Sequence, residues 1–227
     1  MKILDLFCGE GGASLGYQRV GFEVVGVDND KRRLKRYPFE SYQADALVYL
    51  EKHGHEFDAI HASPPCTGYS IATSALPDRL ERYDRLIPAV RDLLEATGKP
   101  YVIENVFNAR SEMKNPQMLC GRMFNLSAID TDGTPLVMDR HRMFETNWLF
   151  TPPLHEKHDT SLQVAGSYGG ARRDKVEARN VRKGGYVPAV EIQKELLGID
   201  HMSEKGMWLS IPPVYAEYIG KQLKEEI

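Results

Sequence analysis

Through the first hundred residues, short apolar runs that end on glycine, proline or an acid alternate with amphipathic stretches. Lys2-Ile3-Leu4-Asp5-Leu6-Phe7 reads as a buried strand, because the run is short and glycines stop it. Residues 13–20 follow with helical spacing and one apolar face. A second strand over 22–27 ends on Asp28, a helix is expected over 30–36, a short strand over 42–44 stops at Asp45, and another helix covers 47–52. A fourth strand over 58–62 runs into Ser63-Pro64-Pro65-Cys66, where two prolines forbid further ladder hydrogen bonds. Asp78 is expected to cap a helix reaching about Ala96, with Leu80, Tyr83, Leu86, Ile87, Val90, Leu93 and Leu94 on one stripe, and Gly98 ends it before a fifth strand over 100–104. Strands alternating with helices at this spacing predict an α/β, doubly wound parallel sheet. Beyond Asn108 the pattern loosens. Asn115-Pro116 predicts the start of a helix to about Met123, and residues 139–146 alternate like a strand with its arginines on one face. Periodicity is absent from Thr151 to Pro188, and helices resume over 190–197 and 214–223.

Composition narrows the class. The 227 residues are 42% hydrophobic and 27% charged with a net charge of -3, which predicts no global attraction to nucleic acid or to an anionic membrane. A polyanion site has to be local, and between Gly166 and Val187 six basic residues (Arg172, Arg173, Lys175, Arg179, Arg182, Lys183) stand against Asp174 and Glu177. Three widely spaced cysteines argue against a disulfide framework and fit a reducing cytoplasm. Their spacing from the histidines suggests no metal site; His155/His158 in a Pro-rich turn and His53/His55 in a surface loop are read as solvated. No apolar run approaches the roughly 18 residues of a membrane span, and the start passes straight into a strand, so a cytoplasmic protein with no membrane association is expected.

The strand ends carry the candidate chemistry. Gly9-Glu10-Gly11-Gly12 lacks the third glycine of a dinucleotide fingerprint, since position 14 is Ser14. The close-set glycines still let a ligand approach a helix N-terminus, and Asp28 and Asp45 at the next two strand ends favour a nucleoside-bearing ligand without a pyrophosphate. Cys66, at the end of the fourth strand, reads equally as a buried small hydrophobe or as a nucleophile. Glu104 ends the neighbouring strand and would share its cleft. Arg140 and Arg142 are candidates for lowering the thiol pKa, or are a solvated strand face.

These residues, in order, are similar to the cytosine-C5-specific DNA methyltransferase family. The resemblance runs through Asp5-Leu6-Phe7-Cys8-Gly9-Glu10-Gly11-Gly12, Asp28, Asp45, Pro65-Cys66, Glu104-Asn105-Val106, Arg140-His141-Arg142 and the helix after Ile211-Pro212-Pro213. It implies a Rossmann-like S-adenosylmethionine-dependent methyltransferase fold with a small, irregular basic recognition lobe. Residues 1–150 would be the catalytic, cofactor-binding domain, 151–188 the recognition segment, and 189–227 helices returning to the catalytic domain. It also implies that Cys66 adds to C6 of a cytosine flipped out of DNA, that Glu104 engages N3 and the exocyclic amine, and that Arg142 faces the base O2 while Arg140 supports the acid. S-adenosyl-L-methionine would be held by Phe7, Gly9, Gly11, Gly12, Asp28, Asn29, Asp45 and Pro65, and DNA by the six basic residues.

The chain also departs from the family pattern. Thr67 and Met138 replace glutamines, Trp208-Leu209 stands where Gly-Asn is common, and the recognition region is short. A short basic stretch grips phosphates but offers few side chains to base edges. Specificity is then low, shared with a partner protein, or obtained by forming a homodimer. Two alternatives stay open: transfer to another nucleic acid or from another one-carbon donor, and a catalytically inactive DNA-binding homologue.

Overall fold

A computed structural model describes residues 1–69, 85–168 and 186–227. The six basic residues from Arg172 to Lys183, and the first part of the helix expected from Asp78, lie outside the described residues.

The centre is a seven-stranded sheet in the order β3-β2-β1-β4-β5-β9-β6. Five strands run parallel: β1 (Lys2–Leu6), β2 (Glu23–Asp28), β3 (Glu40–Gln43), β4 (Ala59–Ala62) and β5 (Tyr101–Val106). β9 (Arg142–Thr146) pairs antiparallel with β5, and β6 (Gln117–Leu119) antiparallel with β9. The strand order reverses at β1 and β4, and in such sheets ligands gather beyond the carboxyl ends at that point. The doubly wound α/β sheet expected from the periodicity, and the Rossmann-like fold implied by the resemblance, are therefore present.

Successive side chains of each strand feed two cores, as the two-residue repeat requires. Leu4, Leu6, Val25, Val27, Ile60, Ala62 and Ile103 face α3 (Ala46–His53) and α4 (Ile87–Thr97), which contribute Leu50, Ile87, Val90 and Leu94. Ile3, Val24, Ala59 and Val102 face α1 (Gly12–Arg19) and α7 (Pro213–Leu223), which contribute Tyr17, Tyr215 and Ile219. A short helix α2 (Lys31–Leu34) is capped by Asp30, whose side chain accepts from Arg32 N–H.

A third core lies apart from these. A three-stranded sheet in the order β10-β8-β7 (Gln163–Val164, Pro135–Val137, Ser127–Ile129) packs with α5 (Val190–Leu197) and α6 (Glu204–Leu209) around Ala128, Leu136, Met138, Leu196 and Met207. This lobe draws on residues before 150 and after 188, and so crosses the boundaries expected from the loss of periodicity.

Two local expectations are corrected. No helix starts at Asn115-Pro116: Asn115 has a left-handed backbone (φ 46°), Gln117–Leu119 is a strand, and only a short 3-10 helix follows over Gly121–Phe124. Pairing with β9 overrides the local proline signal. The strand expected over 139–146 starts only at Arg142, because Arg140 is also left-handed (φ 34°) and breaks the alternation.

Candidate active site

β4 delivers Cys66. The last ladder bond of this segment runs from Ser63 N–H to the Leu6 carbonyl (3.1 Å), and neither Pro64 nor Pro65 has an N–H to extend it. The buried Pro64 carbonyl is instead taken by the Asn105 amide, which donates at 2.9 Å from β5. Cys66 then opens a 3-10 turn over Cys66–Gly68, half-buried, with Pro65 exposed beside it.

Glu104 lies on β5, and Arg142 lies opposite Val106 on β9, so the two side chains share a face as diagonal neighbours. Arg142 Nε sits 3.2 Å from Glu104 Oε1. Burial pushes the Glu104 carboxyl above its ordinary value, against the pull of Arg142, the Ser63 hydroxyl and Arg140. The Cys66 thiol is raised too, first by burial and then by the Glu104 charge, with Arg142 and Arg140 opposing. The arginines thus act in the expected direction on the thiol but do not win: the resting group is a protonated thiol.

Arg140 acts on the acid only as a nearby charge that favours the Glu104 carboxylate, and its own hydrogen bonds go elsewhere. It is buried, and its guanidinium donates to the carbonyls of Ser210 (2.9 Å), Ser167 (2.9 Å), Met207 (2.9 Å) and Trp208 (3.0 Å). It fastens the segment before α7 and the residues next to the basic stretch; the direct ion pair with the acid belongs to Arg142. Left-handed backbone at residue 140 sends the two side chains to different places.

Three groups that sequence reasoning missed stand behind Glu104. Tyr17 Oη lies 2.9 Å from His61 Nδ1, His61 Nε2 lies 2.9 Å from Ser63 Oγ, and Ser63 is close enough to Glu104 to favour its ionised form. Burial drives the His61 pKa down to about 3, so the ring is neutral. A neutral imidazole donates from one nitrogen and accepts at the other, so one of the two His61 contacts is a donated bond and the other an accepted one. The available signal was His61 and Ser63 two apart at the end of one strand.

The expected cofactor residues divide. Phe7 (φ 60°, half-buried) and Gly9 (φ 58°) follow β1, Asp28 ends β2 with Asn29 next to it, and Asp45 follows β3, all at the carboxyl ends of the strands. A side chain at Gly9 would meet nothing within 4 Å, so that glycine opens onto free space. Gly12 does not: a Cβ there would come within 2.8 Å of the Ile211 carbonyl, so its lack of a side chain lets α1 pack on the C-terminal segment. Gly11 likewise faces Tyr37 and Pro38. Asp28 is buried and accepts from the N–H groups of Gly9 (3.0 Å) and Asp30 (2.8 Å), tying the glycine turn to β2. Asp45 caps α3 through Oδ1, accepting from Leu47 and Val48, and stays exposed.

The reading of His155 and His158 as solvated is corrected. Both are half-buried and meet Cys120 and His141, with the ligand atoms of all four within 4.8 Å of one another. Sequence spacing hid the cluster because its members come from three separate segments. His55, by contrast, is exposed, and His53 is half-buried and lies 2.7 Å from Glu56 Oε1.

The comparisons with known proteins agree with this geometry. Residues 1–121 match the family model for C-5 cytosine-specific DNA methylases. The chain is 31% identical over 147 residues to the type II methyltransferase M.HgiDI of Herpetosiphon aurantiacus, covering 59% of this chain and 47% of that protein. It is 29% identical over 111 residues to the type II methyltransferase M.FnuDI of Fusobacterium nucleatum, covering 47% and 32%. It therefore spans half the length or less of these curated relatives. A crystal structure of the S. pombe Dnmt2 methyltransferase superposes with a TM-score of 0.58 at 13% identity, covering 100% of this chain and 98% of that one, a likeness of fold. With the matched segment spanning more than half of the residues, and Cys66 and Glu104 both within it, the chain belongs to the C-5 cytosine-specific DNA methylase family.

Proposed function

We propose that this chain transfers a methyl group from S-adenosyl-L-methionine to C5 of a cytosine in DNA, through a covalent adduct between Cys66 and C6. The observation that carries the reading is the shared cleft of a Pro-Cys thiol and a buried carboxyl backed by Arg142. A negative charge on the thiol and one on Glu104 oppose each other, so each disfavours ionisation of the other. Addition of sulfur to C6 requires the thiol to lose its proton and the ring to gain one at N3. Glu104 is the group that moves or shares that proton, and Arg142 holds its carboxylate in place. The adduct makes C5 nucleophilic; C5 takes the methyl group, and elimination then releases the C5 proton to water, expels Cys66 as thiolate and returns the N3 proton through Glu104. The reacting atoms of a stacked base are out of reach, so the base must be flipped, at a cost of a few kcal/mol.

The residues present fit the methyl donor. Gly9 leaves the backbone open at the end of β1, and Asn29 and Asp45 are exposed at the same ends of their strands. Phe7, Gly9, Asp28, Asn29, Asp45 and Pro65 would hold it; a carboxylate has about four acceptor positions, so Asp28 can still receive hydroxyls. Gly11 and Gly12 shape the turn from behind. When bound, the donor supplies an electrophilic methyl group on sulfur. Phosphate contacts are assigned to Arg172, Arg173, Lys175, Arg179, Arg182 and Lys183, with specificity left to a second copy or a partner.

The test is trapping on DNA containing 5-fluorocytosine, whose C5 fluorine cannot leave as a proton. A denaturation-resistant adduct that requires the methyl donor and vanishes in Cys66→Ser is expected. Full methyl transfer by Cys66→Ser, or a modified nucleoside other than 5-methylcytosine by mass spectrometry, would overturn the proposal.

A further inference from the structure

We infer that Cys120, His141, His155 and His158 form a structural zinc site. Cys120 follows β6, His141 precedes β9, and His155 and His158 belong to the irregular stretch after Phe150. Their ligand atoms all lie within 4.8 Å of one another; His155 Nε2 is 2.9 Å and Cys120 Sγ 3.3 Å from His158 Nε2. A tetrahedral zinc with Zn–N near 2.0–2.1 Å and Zn–S near 2.3 Å separates its ligand atoms by roughly 3.3–3.6 Å, so small shifts convert this cluster into a first shell.

Hydrogen bonds alone would satisfy one imidazole pair. They give no reason for three rings and a thiol to converge on one point. The surroundings add an independent feature. His158 Nδ1 lies 3.3 Å from Asp139 Oδ2, and Arg122 Nε donates to Asp139 Oδ1 at 2.7 Å. A carboxylate on the far nitrogen fixes the tautomer and aims the Nε2 lone pair inward, which is the outer-shell arrangement of metal-bound histidines. One thiolate with three neutral imidazoles is a set that selects zinc, and four protein ligands make the site closed rather than catalytic. Binding releases the Cys120 proton and leaves a net charge of +1 on the centre.

The fold supplies a reason for the site. Residues 151–159 form no helix or strand, and Leu154 is 82% exposed, so this stretch has little apolar surface to hold it. A metal crosslink does what a core cannot do there. It ties this stretch to β6 and to His141, the residue between Arg140 and Arg142.

The test is metal content of the untagged chain, purified without chelators and read by mass spectrometry, independently of DNA or methyl donor. About one zinc per chain is expected, falling at least tenfold in Cys120→Ser and in His155→Gln while Cys66→Ser keeps it. Cobalt loaded into the zinc-free wild type should give tetrahedral bands and a thiolate charge-transfer band that Cys120→Ser lacks; this readout does not depend on a variant's folding. Wild-type chain that stays below roughly 0.1 metal per chain after zinc addition, or a folded Cys120→Ser/His155→Gln double variant that keeps full content, would overturn the assignment.

Discussion

Asn105 is the residue whose removal should most cleanly separate positioning from chemistry at Cys66. Its amide donates to the Pro64 carbonyl (2.9 Å), and its Oδ1 accepts from Val106 N–H (2.9 Å). Because Pro64 and Pro65 offer no N–H, nothing between Ser63 and Cys66 can donate to a strand, and this acceptor is the fastening of the loop. Asn105→Ala leaves a buried carbonyl unpaired, which costs about 1–3 kcal/mol of stability. The thiol is also freed to drift, and a misplacement of about 1 Å at a reacting atom lowers the rate roughly 100-fold. Asn105→Asp should be worse than alanine, since a carboxylate cannot donate and would face the Pro64 oxygen. Urea unfolding gives the stability change at constant m, and the rate of adduct formation on 5-fluorocytosine DNA gives the chemical loss, with methyl-donor affinity unchanged as the control. Wild-type trapping rates in Asn105→Ala, together with a stability loss under about 0.5 kcal/mol, would show that the loop is held some other way.

The Arg91–Glu145 pair is bidentate (2.5 and 2.7 Å) and nearly dry, with Glu145 also accepting from Lys114 N–H at 2.7 Å. Glu145→Gln should cost about 3–5 kcal/mol in denaturant unfolding, whereas Arg91→Met/Glu145→Leu should recover most of it; equal losses in the two would refute the desolvation argument. Burial raises Asp5 to about 7, with one oxygen lacking any partner. Its native form holds a proton that the unfolded chain has released, so stability contributed by Asp5 is lost as pH rises from about 4 to about 7, and Asp5→Asn should raise Tm at pH 8 more than at pH 4. Because the Glu104 charge is the second cause of the raised Cys66 pKa, Glu104→Gln should move the pH midpoint of iodoacetamide alkylation at Cys66 downward, and an unchanged midpoint would separate the two groups.

How much could be read in advance follows from the range of each interaction. β1, β2, β4 and β5 announce themselves because a strand buried on both faces needs an apolar run, and Gly98 or Asp45 punctuates the helices locally, whereas β3 is short, polar and mostly exposed. β6 does not, since its three residues are set by a partner strand 25 positions away. Asp28 and Glu104 were legible as strand-end acids, yet Asp28's grip on the Gly9 backbone and the Tyr17–His61–Ser63 line behind Glu104 join residues that only the assembled sheet brings together. The four cluster residues are separated by 21, 14 and 3 positions, and only the last interval has the look of a metal motif.

Arg140-His141-Arg142 condenses these lessons. In a regular strand, residues 140 and 142 would point the same way and 141 the other. The left-handed backbone at Arg140 breaks that rule and gives three consecutive side chains three destinations. Arg140 collects carbonyls from the segment before α7 and from Ser167, His141 enters the Cys120 cluster, and Arg142 backs Glu104. A left-handed non-glycine residue costs of order 1–3 kcal/mol and persists only where its surroundings over-determine it. Here they do: four carbonyls hold the Arg140 side chain, and the Tyr215 hydroxyl donates to its carbonyl at 3.0 Å. The strained corner thereby links Arg142, the partner of Glu104, to the segment before α7 and to the Cys120 cluster, and loosening either should be felt at Glu104 before it is felt in the sheet.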